Sequence, residues 1–385
     1  MTKPHRDVVW GFLAPITPVA PLLYLLSSIS RLKETAQSMW RDSATRYTLI
    51  LLALSSAIST VIAPDRLAAI GGVLALYLFI LFVAYGVWGI ERPLCFLRAL
   101  VIGAGFLGLI VVLARLLRLE FSLFGVPILT EFSSHNARGN VLGMANNGLS
   151  ALLEPGVAGG IGLAILDRRR RWLLVVCALL SAAGVFITLS RGGMVGMTAS
   201  LIVLLVLTAK YLRRYWKVTT AIVVVAALVL ATLIAVMPGL AERIVSIVHI
   251  EENIQRVRIW IGTLKMIQAH PLFGSGPANF GKVYPEFRLA EEWEHARSPH
   301  NLYLYVLSGW GIVGFTVFYG YLARVAILPF QRHPSPYRTV ALAMIASFWV
   351  HVLVNDLYLP HIPLIMGCIA NSRLNDHPSI EDERT

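Results

Sequence analysis

Runs of about twenty apolar residues, separated by short arginine-rich stretches, recur along almost the whole chain, and no other feature limits its fold as much. A bilayer-spanning helix needs roughly 20 mostly apolar residues. Such runs lie at 47–64, 67–90, 96–117, 141–166, 172–189, 192–209, 218–237, 301–328 and 338–358. A shorter run follows at 359–371, and a segment at 9–30, broken by Pro15, Pro18 and Pro21, precedes them all. The pattern predicts an all-α polytopic membrane protein with ten or eleven transmembrane helices. Only 14% of the residues are charged, where soluble domains carry about a quarter, so an ordinary soluble enzyme is excluded.

The net charge of +12 gains meaning from its location. Arg31, Lys33, Arg41 and Arg46 precede the 47–64 run, Arg168 to Arg171 follow 141–166, Lys210 to Lys217 precede 218–237, and Arg324, Arg332 and Arg338 follow 301–328. Short basic loops prefer the cytoplasm, and an even number of spans separates each of these sites from the next. The same parity puts Arg191, the 118–140 loop, the 238–300 loop and the 356–361 turn together on the outer face. The chain thus divides into membrane helices at 1–237, a large helical outer (periplasmic) loop at 238–300, further membrane helices at 301–371 and a cytoplasmic tail at 372–385. If 9–30 spans, the N-terminal Lys3 and Arg6 lie outside against the rule; a re-entrant segment is the alternative. No cleavable signal peptide is evident. Cys95, Cys177 and Cys368 lie in or beside apolar runs with no metal spacing, so no disulfide framework is expected.

The outer loop carries seven basic residues and seven glutamates, so any anion site there must come from placement. Asn253 is positioned to cap a helix running to about His270, where His270-Pro271 and Gly274 stop it. Trp260, Leu264 and Ile267 give that helix an apolar stripe, with Arg256 one turn before Trp260. A second helix is expected within 277–291.

Arg191 stands in Ser190-Arg191-Gly192-Gly193, between two apolar runs. A charge at membrane depth is costly and points to function, and arginine is a fixed, bidentate partner for a diphosphate; snorkelling to lipid headgroups is the alternative. Arg256 and Arg258, two positions apart, cannot face the same way on a helix, and Arg256 is the inward candidate. His300, in Ser298-Pro299-His300-Asn301, joins the polar loop to the 301–328 run, where an imidazole suits a general base. Asn301 is placed to orient that ring or to bind a sugar hydroxyl. Arg138, Arg288 and Arg297 are further candidates for lining a site, as are His295 and Asn146-Asn147; solvation is the plain reading for Arg288, His295 and Arg297. Gly274-Ser275-Gly276 offers backbone N–H groups to a phosphate or simply ends a helix. The 291–294 cluster offers a carboxylate base or a solvated face, and Glu154, inside a span, a buried polar partner. No His-Glu-x-x-His pattern, Cys/His cluster or close aspartate pair supports a metal. No nucleotide-binding fingerprint occurs.

Three of these stretches resemble the O-antigen ligase and polysaccharide polymerase superfamily of bacterial membrane glycosyltransferases. They are Ser190-Arg191-Gly192-Gly193, the run from Arg256 through His270-Pro271-Leu272 to Gly274-Ser275-Gly276, and His300-Asn301 followed by Gly311 and Gly314. The resemblance covers roughly residues 140–330, and the His-Asn with its two glycines is its most specific part. The ligase form has threonine directly after the second glycine; here Phe315 stands there and the threonine is Thr316. The resemblance implies a metal-independent enzyme without cofactors in the bacterial inner membrane, active on its periplasmic face. It implies a donor glycan on undecaprenyl diphosphate, Arg191 and Arg256 gripping the diphosphate, and His300 as the base that activates an acceptor hydroxyl such as that of a lipid A core sugar. The partners are then the lipid-linked donor, a glycan acceptor and membrane lipids, and no nucleic acid. A repeat-unit polymerase of the same superfamily is the nearest alternative. A lipid-linked glycan transporter would instead need charges along a path through several spans.

Overall fold

The computed structural model describes residues 3–375 apart from 18, 119, 124–125, 130–143, 213–215, 237–238, 248, 250–252, 291, 293–294, 333–334, 358 and 360. Its helices, in order, are α1 (Lys3–Leu13), α2 (Ala20–Leu26), α3 (Ile29–Arg41), α4 (Ser43–Ile62), α5 (Arg66–Ala84), α6 (Pro93–Leu116), α7 (Asn146–Leu166), α8 (Arg171–Ile187) and α9 (Arg191–Leu212). They continue with α10 (Trp216–Val236), α11 (Leu240–Val245), α12 (Ile254–Ala269), α13 (Phe280–Val283), α14 (Leu302–Arg332), α15 (Pro336–His351) and α16 (His361–Ala370). The architecture is all-α as expected, with one short antiparallel pair, β1 (Phe121–Leu123) and β2 (Val126–Leu129), in which Leu123 pairs with Val126 and Phe121 with Leu129.

Six helices among the described residues are long and apolar enough to cross a membrane: α4, α5 with its terminal turn to Gly89, α6, α7, α9 and α14. This measure does not reach ten or eleven. α8 and α16 are apolar but short, and α15 is 16 residues long, about 24 Å. The shortness of α15 and α16 has a local cause. The chain after α15 runs irregularly over 352–357, where a continuous span would have kept it helical.

The helices have two chemically distinct ends. At one, called here the basic end, Arg98 pairs with Asp167 at 3.1 Å, Arg324 approaches Asp42 at 3.4 Å, and Arg338 donates to the carbonyls of Ile369 and Asn371. At the other, the loop end, the α4–α5 turn holds the 273–282 segment: Ser59 donates to Phe273 O at 2.6 Å and Lys282 pairs with Asp65 at 2.7 Å. Among the described residues, the 273–282 part of the long polar interval lies at the end opposite to Arg98, Arg324 and Arg338.

The 9–30 segment enters the bundle and returns. Asp7 accepts from the Tyr24 hydroxyl at 2.6 Å and from the N–H groups of Glu91 and Arg92 at 3.0 and 2.8 Å, and Arg31 lies 3.7 Å from the same carboxylate. Residues 7, 24 and 31 therefore meet at the basic end. α1, only 11 residues long, lies along α6 and stops part-way across. The prolines that broke the apolar run are where the chain turns back. The positive-inside conflict disappears with it.

α14 is interrupted at Gly311, whose φ of 64° and ψ of −173° leave the helix. The break opens backbone groups to a neighbour, and the 271–276 segment fills them. Ile312 N donates to Pro271 O at 2.9 Å and Ser275 N donates to Ser308 O at 2.9 Å. A Cβ on Gly311 would sit 2.3 Å from Leu272 O, so glycine is required both by φ and by space. The Gly-Ser-Gly turn is therefore an interlock, with its Ser275 and Gly276 N–H groups already committed to α14.

Candidate active site

Arg191 is the first residue of α9, and Ser190 starts that helix. The Ser190 hydroxyl accepts from Gly193 N at 3.2 Å, which is N-cap geometry, and donates to Asn147 Oδ1 at 2.8 Å. Leu189, just before, has a φ of 53°, a conformation a leucine holds only where its surroundings enforce it. α11 supplies part of that enforcement: Arg243 Nε donates to Leu189 O at 3.0 Å, and Arg191 Nη1 reaches Ser246 O at 3.4 Å. A second guanidinium, Arg243, thus stands beside Arg191. It lies in the polar interval but outside every motif considered.

His300 also has left-handed backbone, with a φ of 49°. The residues around it are tied down on both sides. Trp260 of α12 donates its indole N–H to Pro299 O at 2.9 Å, and Leu302 N donates to Val352 O and Asn355 O at 2.9 and 3.2 Å. Asn301 caps α14, accepting from Leu304 N at 3.1 Å, so a structural duty occupies the oxygen considered for a sugar hydroxyl. His300 Nδ1 lies 3.7 Å from Asp356 Oδ1, with both side chains about a third exposed (32% and 29%). Burial alone would push the Asp356 carboxyl up; His300 and Ser298 beside it outweigh that and hold it below the ordinary carboxylate value.

The two halves are linked. Asn147 receives the Ser190 hydroxyl on its oxygen and donates its own N–H to Asn355 Oδ1 at 2.8 Å. Asn355 is the residue before Asp356. Ser190 and His300 are therefore joined through Asn147, Asn355 and one peptide bond to the Asp356 side chain, all at the loop end. The irregular 352–357 backbone fits such a place, since non-helical backbone within a membrane is tolerated where it is buried in protein or lines a cavity.

α12 spans Ile254–Ala269, as the sequence pattern predicts, although the Asn253 side chain does not cap it and donates to His249 O instead. The predicted stripe is corrected. Ile259, Gly262, Thr263 and Met266 form the buried face, while Leu264 is exposed, because the helix packs on Phe280 and Tyr284 as well as on the α14 junction. Trp260 keeps its predicted importance through Pro299. Arg256, one turn earlier and half-buried, is carried on the helix anchored beside His300; Arg258 is half-buried too. The second predicted helix within 277–291 is only α13 followed by one 3-10 turn over Tyr284–Phe287.

The remaining candidates separate. Arg288 braces its own loop, donating to Glu292 O and meeting His295 Nδ1 at 3.2 Å, and Tyr284 donates to the buried Glu292 carboxylate at 2.5 Å. Glu292 thus holds the loop together and is no exposed base. Arg297 is exposed. Arg138 lies outside the described residues. Asp356 is the residue that motif reading missed. Its signal was an Asn-Asp pair placed directly in a turn already assigned to the same face as His300.

A carboxylate beside an imidazole can fix one ring tautomer and stabilise its protonated form, leaving the other nitrogen to take a proton. Guanidinium groups near it can hold a diphosphate through paired N–H bonds. Among the described residues no group of three His, Cys, Asp or Glu side chains could hold a metal ion.

No curated protein matches the chain. Residues 176–319 match the family model described as O-antigen ligase, a segment that contains Arg191, Arg256 and His300 and stops short of Asp356. Over that segment the chain is similar to the O-antigen ligase family, in keeping with the superfamily that its motifs resemble.

Proposed function

We propose that the protein is an O-antigen ligase-type glycosyltransferase that moves a glycan from a polyprenyl diphosphate to an acceptor hydroxyl, with the loop end facing the outer leaflet. The observation that carries this reading is the linkage of the Arg191 turn to the His300–Asp356 pair through Asn147 and Asn355. The similarity of residues 176–319 to the O-antigen ligase family supports glycosyl transfer at the family level only.

In the proposed reaction the acceptor oxygen bonds to the anomeric carbon as the bond from that carbon to the diphosphate oxygen breaks. The bonding electron pair leaves with the diphosphate. Arg191 and Arg256 stabilise the charge that accumulates there, most effectively where water is scarce. The hydroxyl proton passes to His300 Nε2 while Asp356 holds the Nδ1 side of the ring. A single displacement of this kind inverts the anomeric configuration. The acceptor is a core sugar of lipid A or another glycan.

The polymerase alternative has one specific observation in its favour. Phe315, its ring tilted against that of Tyr319 with centroids 4.5 Å apart, occupies the position where the ligase form carries threonine. The deciding experiment uses purified protein, a defined polyprenyl diphosphate-linked donor, and two acceptors in parallel: lipid A core and a second carrier-linked repeat. Transfer to the core alone identifies the ligase. Chain growth on the carrier identifies the polymerase, and turnover with neither overturns both.

A further inference from the structure

A fully buried carboxylate–imidazole pair lies directly beneath the candidate site, and the reaction just described does not use it. Glu154 of α7 and His351 at the end of α15 are both 0% exposed, with Oε1 and Nδ1 2.6 Å apart. The first turn of α9 is seated on them. A Cβ at Gly192 would fall 2.5 Å from His351 Cδ2 and 2.8 Å from Asn355 Nδ2, one at Gly193 1.7 Å from Ser150 Oγ, and one at Gly196 2.7 Å from Glu154 Oε2. The glycines after Arg191 thus let the α9 backbone lie directly against this pair. Ser150 donates to Glu154 Oε1 at 3.3 Å. Glu154 Oε2, His351 Nε2 and Asn355 Nδ2 have no hydrogen-bond partner among the described residues.

Such a pair is a poor choice for stability alone. Well-packed apolar residues in place of a buried ion pair are often neutral or stabilising, and ionisable groups inside a membrane are expensive. What polar pairs supply is register. Here three elements meet at one point: α7, which carries Asn147; α9, which carries Ser190 and Arg191; and the end of α15, which runs into Asn355 and Asp356.

We infer that Glu154 and His351 are positioning residues that lock the Arg191 turn to the Asn355–Asp356 turn and so set the spacing between the diphosphate arginine and His300. The inference rests on the proposed transfer reaction. A displacement of about 1 Å between groups that must act together is enough to cost on the order of 10²-fold in rate.

The test compares full-length wild-type protein in lipid nanodiscs with the double variant Glu154→Leu/His351→Leu and with Glu154→Gln, which keeps an oxygen for His351. The double variant is expected to remain folded, to turn over donor about 10- to 100-fold more slowly at saturation, and to keep its KM for donor within a few-fold. Amide hydrogen exchange in 189–196 and 352–357 should rise together, a readout that needs no substrate. Glu154→Gln should leave exchange unchanged and keep turnover within about threefold of wild type, because it removes charge and keeps geometry. A folded double variant with wild-type turnover, or one that slows with both segments still protected, overturns the positioning role. So does a Glu154→Gln enzyme that is inactive with unchanged exchange, since that would make Glu154 a chemical participant. If the double variant does not fold, His351→Gln, which removes the nitrogen facing Glu154, takes its place with the same expected and contradicting results. Transfer by a His300→Ala enzyme would sink the reaction instead, and the exchange result would stand apart from it.

Discussion

The two ends of the helix bundle draw on the same residue types and use them differently. At the basic end, Asp7 accepts three hydrogen bonds and faces Arg31, and Arg98 and Arg338 are answered by a carboxylate and by helix-end carbonyls. No left-handed residue occurs there among those described. At the loop end stand the four non-glycine residues with positive φ among those described: Arg118, Leu189, Ala278 and His300. Two of them adjoin the candidate site. Strain persists only where surrounding contacts over-determine it, and it gathers at functional sites. Satisfied charge marks the end that holds the fold, and enforced backbone marks the end where we propose the reaction takes place.

Substitutions at each end can break or sharpen that contrast. The largest effect is expected from His300→Ala, which should lower transfer by about 10²–10⁴-fold in a purified assay while leaving thermal stability near wild type. Asp356→Asn should follow, lowering kcat on the order of 10²-fold. It should also move the acid limb of the pH–rate profile to lower pH, because the carboxylate that favours a charged imidazole is gone. Arg191→Lys keeps charge and loses the paired fork; donor binding should weaken about tenfold, the loss of one charge-assisted hydrogen bond of roughly 1.5 kcal/mol. Asp7→Ala at the basic end should do the reverse of these, costing about 3 kcal/mol of stability by leaving the Tyr24 hydroxyl and two backbone donors without their acceptor, with kcat of the folded fraction unchanged. A large loss of kcat there, read alongside the melting temperature, would erase the distinction between the ends.

The smallest effect concerns acid stability. Asp356 titrates below the ordinary carboxylate value in the folded protein, so its contribution is present above about pH 4 and is lost as pH falls through its folded value. Asp356→Asn should flatten the dependence of melting temperature on pH in that acid window and leave it unchanged near neutrality.

Much of this arrangement was legible beforehand because it depends on local rules. Apolar run length marked most helices, loop charge sorted their ends, and a terminal His-Pro bounded α12, whose start at Asn253 was placed correctly although that side chain does not cap it. Arg191 and His300 stood out because each is a charged or titratable residue at a membrane boundary. What stayed hidden depends on contacts distant in sequence. The carboxylate partner of His300 lies 56 residues downstream. Whether 9–30 spans or returns was decided by Asp7 meeting Tyr24, Glu91 and Arg92, which no window of hydropathy reports. The Gly-Ser-Gly turn had the composition of a phosphate loop, yet its N–H groups pair with the break in α14 at Gly311. Spacing alone cannot separate those two uses of glycine.

The most direct test is single-turnover transfer by His300→Ala protein loaded with a polyprenyl diphosphate-linked donor. The account predicts donor bound with affinity close to wild type and no new glycosidic bond formed. Transfer at the wild-type rate, or loss of donor binding with the fold intact, would contradict a site in which the arginines hold the donor and His300 takes the proton.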